Sequence, residues 1–221
     1  MIHYGTGDYF KLHPGGNEAW EAEVMRESSF VDRWLAEQDS SVLQLIPYVV
    51  CFNSSGKVLS YQRKGGGEGR LEGKCSVGIG GHVNTSDHPW SGEDVERLKN
   101  SDELQDYKIT WQTLQNGALR EVTEELDLSS EYVFNNLMQL GVVYAPSDDG
   151  GDPSSPGPAV GEVHIGIVYG LIVPDDVKVR DNEGMIKPKF VVNPPNIQKY
   201  ERWSQLVLMN IEDIKSELSN A

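Results

Sequence analysis

The run Val42 to Phe52 (VLQLIPYVVCF), the turn Asn53-Ser54-Ser55-Gly56 and the run Lys57 to Arg63 (KVLSYQR) constrain this chain most. The first run is rich in β-branched and aromatic residues. In the second, Val58, Ser60 and Gln62 alternate with Leu59 and Tyr61, so the spacing predicts strand, turn and strand. Further strands are expected at Cys75 to Val83, Met138 to Tyr144, Glu162 to Val173 and Trp203 to Met209, with a hairpin end at Val179 to Ile186 and a Pro/Asn-rich crossing at Val191 to Ile197. A strong helix is predicted from about Tyr107 to Leu126, with Trp111, Leu114, Ala118, Leu119, Val122 and Leu126 along one side. Shorter helices are expected around Glu93 to Leu104 and Ile211 to Leu218. Asn17 to Gln38 reads as one amphipathic helix or as two broken near Ser28-Ser29. Strands on both sides of one long helix indicate an α/β or α+β sandwich.

Charge narrows the partners. The 221 residues include 19 Lys+Arg against 34 Asp+Glu, a formal net charge of −15. A protein that neutralises backbone phosphates needs a clustered basic surface, so nucleic acid is excluded as that kind of partner. Docking on an anionic membrane is excluded likewise. A phosphate substrate is not, because carboxylates can hold a metal that in turn holds the phosphate. The first ten residues lack a basic stretch followed by an apolar run, and Val163 to Pro174, broken by Gly166 and Gly170, is far short of a membrane span. Cys51 and Cys75 lack CxxC spacing and read as reduced thiols. A soluble, cytoplasmic protein is expected. The glycine-rich loop Gly65 to Gly73 lacks the GKS/T ending of a P-loop, and Pro146 to Gly161 is plainly loop.

The segment that carries chemistry is Arg120-Glu121-Val122-Thr123-Glu124-Glu125-Leu126-Asp127-Leu128. Residues three and four apart share a helix face, so Glu121, Glu124 and Glu125 are expected on one side. Carboxylates packed this closely repel one another, and a hard divalent cation relieves the repulsion. A solvated acidic face is the plainer reading of such a cluster taken alone.

The wider pattern resembles the signature of the Nudix hydrolases, G-x5-E-x7-R-E-U-x-E-E-x-G-U with U a bulky aliphatic. The second half matches at Arg120, Glu121, Val122, Glu124, Glu125 and Leu128; Gly81 opens the first half, and Asp87 stands where the family has Glu. Residues 88 to 119 occupy the place of seven, an insertion whose loop-closure entropy is on the order of 1 kcal/mol. Asp127 stands at the Gly position that ends the helix. The likeness spans about Leu43 to Leu218 and implies a MutT-like phosphohydrolase with an α/β/α sandwich, a mixed sheet and a catalytic helix. Residues 1–40 would form an N-terminal helical extension and 41–221 the domain, with the insertion at about 88–110.

The resemblance implies that water attacks a phosphorus of a small-molecule diphosphate, a nucleoside diphosphate linked to another moiety, with Mg2+ (or Mn2+) as cofactor. It makes Glu121, Glu124 and Glu125 the metal ligands together with the carbonyl of Gly81. Arg120 would orient a carboxylate of the cluster. Glu183 resembles the late acidic residue many members bring from a loop, with Glu162 and Asp148 as rivals; the general base stays open between Glu121 and Glu183. Arg63 and Lys64 end the second strand near the expected cleft mouth and are candidate phosphate contacts, and His82 is a candidate substrate contact. For His82, His88 and His164 the plainer reading is a hydrogen-bonded loop or cleft-wall residue. Tyr48, Tyr61 and Trp90 are candidates for stacking a base, with core packing preferred for the first two. An isopentenyl-diphosphate-isomerase-like enzyme would need a cysteine beside the glycine loop, whereas Cys75 is seven positions from His82. A non-catalytic diphosphate-binding module would have no use for three helix carboxylates. The N-terminal segment and the insertion are each placed to form a homodimer interface or to cap the site, and the sequence does not choose.

Overall fold

The computed structural model describes residues 7–12, 18–64, 71–94, 108–146, 158–180, 185–192, 194 and 196–220, with the backbone alone for 18–21. Its sheet contains β1 (Tyr9–Leu12), β2 (Gln44–Asn53), β3 (Val58–Arg63), β4 (Cys75–Ser76), β5 (Gly78–Gly80), β6 (Met138–Tyr144), β7 (His164–Val173) and β8 (Met185–Val191). The strands lie in the order β1-β6-β7-β2-β3-β4, with β5 paired to β2 and β8 to β3. β2 and β7 run parallel from Gln44 opposite His164 to Asn53 opposite Val173, and the other named pairs are antiparallel. The sheet is therefore mixed.

β2 sorts its side chains by the two-residue period of a strand. Val49 and Cys51 enter one core layer, with Leu114, Ala118, Val122 and Leu126 of the long helix α3 (Trp111–Glu125) and its end. Tyr48, Val50 and Phe52 enter the other, with Leu206 and Val207 of α6 (Arg202–Met209) and Ile211 and Ile214 of α7 (Ile211–Asn220). Helices on both faces of one mixed sheet make an α/β/α sandwich. Each fully buried Leu or Val contributes about 1.5–3 kcal/mol. Gly170 lies where α7 crosses β7: a Cβ there would sit 2.7 Å from Leu218 and 2.9 Å from Leu140. The glycines that interrupt the apolar run of β7 thus give the helices room to approach.

α3 starts one residue after Thr110, whose Oγ1 accepts from the Thr113 amide at 3.1 Å. Leu114, Ala118 and Val122, four apart, are fully buried. Asn17 to Gln38 divides into α1 (Glu18–Glu27) and α2 (Arg33–Ala36); between them Ser29 bridges to Lys108, and Asp32 caps α2 through the Trp34 amide at 2.8 Å.

Trp203 to Met209, expected as a strand, is helix α6. Its apolar residues Trp203, Leu206 and Val207 fall at i, i+3 and i+4, the period of a helix face, and pack on the second core layer. Elements without a counterpart in the reading of the sequence include two short ones. β1 pairs along β6 from Tyr9 opposite Tyr144 to Leu12 opposite Gly141. Helix α4 (Ser130–Asn136) is capped by Ser129 Oγ, which accepts from the Tyr132 amide at 3.1 Å. Both are too short to show a period. Of Val179 to Ile186, residues 181–184 lie outside the described residues; Val179 bridges to Leu126, and β8 begins at Met185. The helix expected from Glu93 extends to residue 94 within the described chain. Both cysteines are free. Among the described residues, no helix is long and apolar enough to cross a membrane.

Candidate active site

The 3-10 turn Thr85–Asp87 leads into the insertion, and α3 follows it. The two ends are stitched together. Asp87, 5% exposed, accepts from Arg120 Nε at 2.9 Å through Oδ1 and from Nη2 at 3.1 Å through Oδ2. Its carbonyl accepts from Asn116 Nδ2 at 2.8 Å, and its Oδ2 also accepts from the Asn84 amide at 2.8 Å. Aspartate at this position, a methylene shorter than glutamate, reaches the arginine in full.

Arg120 gathers the rest of the site. Its Nη1 donates to Glu121 at 2.7 Å and lies 3.5 Å from Glu124, and its Nη2 donates to the His82 carbonyl at 3.0 Å. The hydrogen bond to Asp87, with that to Glu121, drives the guanidinium pKa further up despite partial burial. Burial raises the pKa of Glu121; Arg120 opposes this, while Glu124 and Glu125 reinforce it. A carboxylate pushed upward by desolvation and like charge gains from a cation beside it.

Whether these residues suit a metal is tested by Gly81. A Cβ there would overlap the Glu121 carboxylate, so glycine lets the backbone approach it without displacing that side chain. Glu121, Glu124 and Glu125 lie within the last two turns of α3, with Glu121 and Glu125 half-buried and Glu124 exposed. Backbone oxygen and carboxylates are the donors hard divalent cations take. Among the described residues, the three side chains whose ligand atoms all lie within 4.8 Å of one another are others: Glu37, His82 and His164.

A cleft of about 320 Å3 joins the two groups. Gly81, His82, Glu121 and Arg63 line it, while Lys64 is exposed and outside the lining. Glu183 and Asp148 lie outside the described residues. Glu162 Oε2 accepts from the Ala159 amide at 2.7 Å, closing the short helix α5 (Val160–Val163). His88 meets Thr113 Oγ1 at 2.9 Å, and Trp90 stacks on Phe30 at 6.1 Å between centroids, so neither faces the cleft. Tyr61 is buried and donates to the Gly78 carbonyl at 2.7 Å.

The sequence singled out Tyr48 but not its partners Ser76, Glu201 and Ser204. Tyr48 donates to Glu201 Oε1 at 2.7 Å, Ser76 Oγ donates to the same oxygen at 3.1 Å, and Ser204 Oγ donates to it as well. Glu201 is 4% exposed. Burial and Glu201 push the Tyr48 phenol well above its usual pKa, so it remains a donor. Trp203 meets Tyr48 edge to face at 5.5 Å between centroids, and both line the cleft. These residues lie too far apart in the chain for any local pattern to link them.

No family model matches the chain. It is 32% identical over 202 residues to protein YmaB of Bacillus subtilis (strain 168), covering 86% of this chain and 84% of YmaB. Its structure superposes on that of Tm1382, a candidate Nudix hydrolase, with a TM-score of 0.61 at 20% identity, over 96% of this chain and 92% of the other. The chain is a Nudix-fold protein of the YmaB family. A second structure, a bifunctional NMN adenylyltransferase/ADP ribose pyrophosphatase from Francisella tularensis, matches with a TM-score of 0.50 at 14% identity, over 89% of this chain and 46% of that one. Within the Nudix fold of this chain, Asp87 and Arg120 meet although residues 88 to 119 separate them.

Proposed function

We propose that this Nudix-fold protein is a divalent-metal-dependent hydrolase of a diphosphate linkage, in a nucleoside diphosphate joined to another moiety. The observation that carries the reading is the bond between Asp87 and Arg120, which brings the two halves of the signature together across residues 88 to 119. Glu121, Glu124 and Glu125 with the Gly81 carbonyl are the proposed holders of Mg2+ or Mn2+. When bound, the ion lowers the pKa of a coordinated water and neutralises charge on the phosphoryl oxygens.

The chain's own groups supply the rest. Arg120 orients Glu121 and remains charged at any working pH. Glu121, its pKa raised by burial, is suited to take the proton of the attacking water, with Glu183 the other candidate for that role. Water adds to one phosphorus, the bridging oxygen leaves with the second phosphate, and the proton passes to that base. Arg63 is the proposed phosphate contact, and His82 lines the same cleft. The ADP-ribose pyrophosphatase of similar fold makes ADP-ribose the first compound to try. Cys75 is absent from the cleft lining, which weighs against isomerase chemistry.

The test is a Mg2+- and Mn2+-dependent screen over ADP-ribose, dinucleoside polyphosphates, nucleoside triphosphates and non-nucleotide diphosphates. Turnover that disappears in Glu124→Gln and Glu125→Gln supports the reading. No turnover of any diphosphate with either metal, or variants as active as wild type, overturns it.

A further inference from the structure

Beside the cleft, three side chains from distant parts of the chain converge, two of which, His82 and His164, line it. Glu37 follows α2, His82 follows the glycines after β5, and His164 opens β7. His82 Nε2 and His164 Nε2 are 3.1 Å apart; Glu37 Oε1 is 3.4 Å from the first and 3.8 Å from the second. The point in their plane equidistant from the three atoms lies about 2.0 Å from each, and one displaced about 0.7 Å from the plane, as a tetrahedral ion would be, lies about 2.1 Å from each, within the range of zinc bonds to imidazole nitrogen and carboxylate oxygen. Edges of this size are those of one face of a tetrahedron around such an ion.

The tautomer of His164 is settled by its other nitrogen. Nδ1 lies 2.7 Å from the Val160 carbonyl, an acceptor only, so Nδ1 carries the proton and Nε2 presents its lone pair to the cluster. A ring N–H anchored on a backbone carbonyl while the opposite nitrogen points inward is the support metal-ligating histidines almost always have. His164 is 3% exposed, and the parallel pairing of Gln44 with His164 fixes its position at the start of β7. Gln44 Nε2 sits 3.2 Å from the same His164 nitrogen; turning the amide over would present its oxygen instead. Arg33, 3.6 Å from Glu37, is the nearby cation opposing a metal, but its side chain is 53% exposed and can swing into water.

We propose that Glu37, His82 and His164 form a second metal site for a borderline-soft divalent ion of the zinc type. Two imidazoles and one carboxylate are the ligands of catalytic zinc sites, which keep a fourth position for water or substrate, whereas Mg2+ prefers oxygen alone. His82 and His164 line the same cleft as Glu121, so that open position faces the space where a diphosphate would lie. The site is distinct from the helix carboxylates and stands whether or not diphosphates are hydrolysed.

The experiment uses the full chain, stripped of metal and titrated with Zn2+ against a chromophoric chelator. One equivalent should bind. Glu37→Gln and His82→Ala should each weaken binding at least tenfold. His88→Gln, a histidine outside the cluster, and the double variant Glu124→Gln/Glu125→Gln should bind as wild type does. Zinc-edge X-ray absorption on the wild type should count two imidazole ligands, a readout independent of whether any variant folds. Failure to bind an equivalent in competition with the chelator overturns the proposal. So do unchanged affinity in Glu37→Gln and His82→Ala, loss confined to the helix double variant, or a zinc shell without two imidazoles.

Discussion

Two polar clusters share one cleft and were built in different ways. The carboxylates of α3 sit at i, i+3 and i+4 of a single helix, so their proximity follows from helical pitch. Glu37, His82 and His164 come from three segments; β2 pairs with both β5, which precedes His82, and β7, which His164 opens. The first cluster could be seen before folding and the second could not. The Asp87–Arg120 bond stands between the two cases, since Arg120 belongs to the helix but Asp87 is brought back to it across the insertion. A site can therefore be partly local in sequence and still depend on a non-local contact for its geometry.

The contrast can be broken most sharply at the helix. Glu125→Gln should lower diphosphate hydrolysis by about 100-fold or more, the scale on which removing one preorganised electrostatic group acts. Zn2+ affinity should not change, and a parallel fall in both would merge the two clusters into one. Asp87→Ala comes next. It leaves Arg120 without its main partner, and kcat/KM should fall by about 10- to 100-fold, the range seen when a supporting partner of a ligand is lost. Asp87→Glu should retain more activity than Asp87→Ala; equal loss in both would show that Asp87 only packs.

The long-range cluster has its own weak point. A Cβ at Gly166 would sit 2.6 Å from Val143 and 3.0 Å from Trp203, two residues along β7 from His164. Gly166→Ala should cost about 1–3 kcal/mol in a denaturant titration, as overpacking does. It should weaken Zn2+ binding more than hydrolysis, because it moves β7 and not α3. The smallest effect is a labelling difference. Cys51, in the second half of β2, is fully buried, and burial lifts its thiol pKa to about 12. A thiol reagent at neutral pH should therefore modify half-buried Cys75 in the native protein and reach Cys51 only on unfolding. Rapid native labelling of Cys51 would mean that the strand between the two clusters opens easily.

The strands β2, β3 and β6 were legible because alternation, β-branched residues and flanking turns all agreed. The helix α3 was legible because Leu114, Ala118 and Val122 recur at its period. Trp203 to Met209 was misread because a short apolar run looks alike in strand and helix, and packing on the second core layer decided it. β1 carried no signal, since four residues show no period and its stability comes from pairing with β6. In the candidate site, Arg120, Glu121, Glu124 and Glu125 were picked out by their resemblance to the Nudix signature, because their spacing alone reads as a solvated acidic face. Glu201, Glu37 and the pairing of His82 with His164 were not, because their partners lie on other elements.

The sequence by itself determined the local part of this protein: which segments can be strand or helix, which face of α3 is acidic, and that Gly81 opens a Nudix-like pattern. Backbone propensity and side-chain period act over a few residues, so they are written in short stretches of chain. Only the tertiary structure decided that Asp87 returns to Arg120, that Glu201 is buried among hydroxyls, and that two histidines and a glutamate share one corner. Those contacts depend on sheet register and on burial from both faces, which exist only once the whole chain has packed.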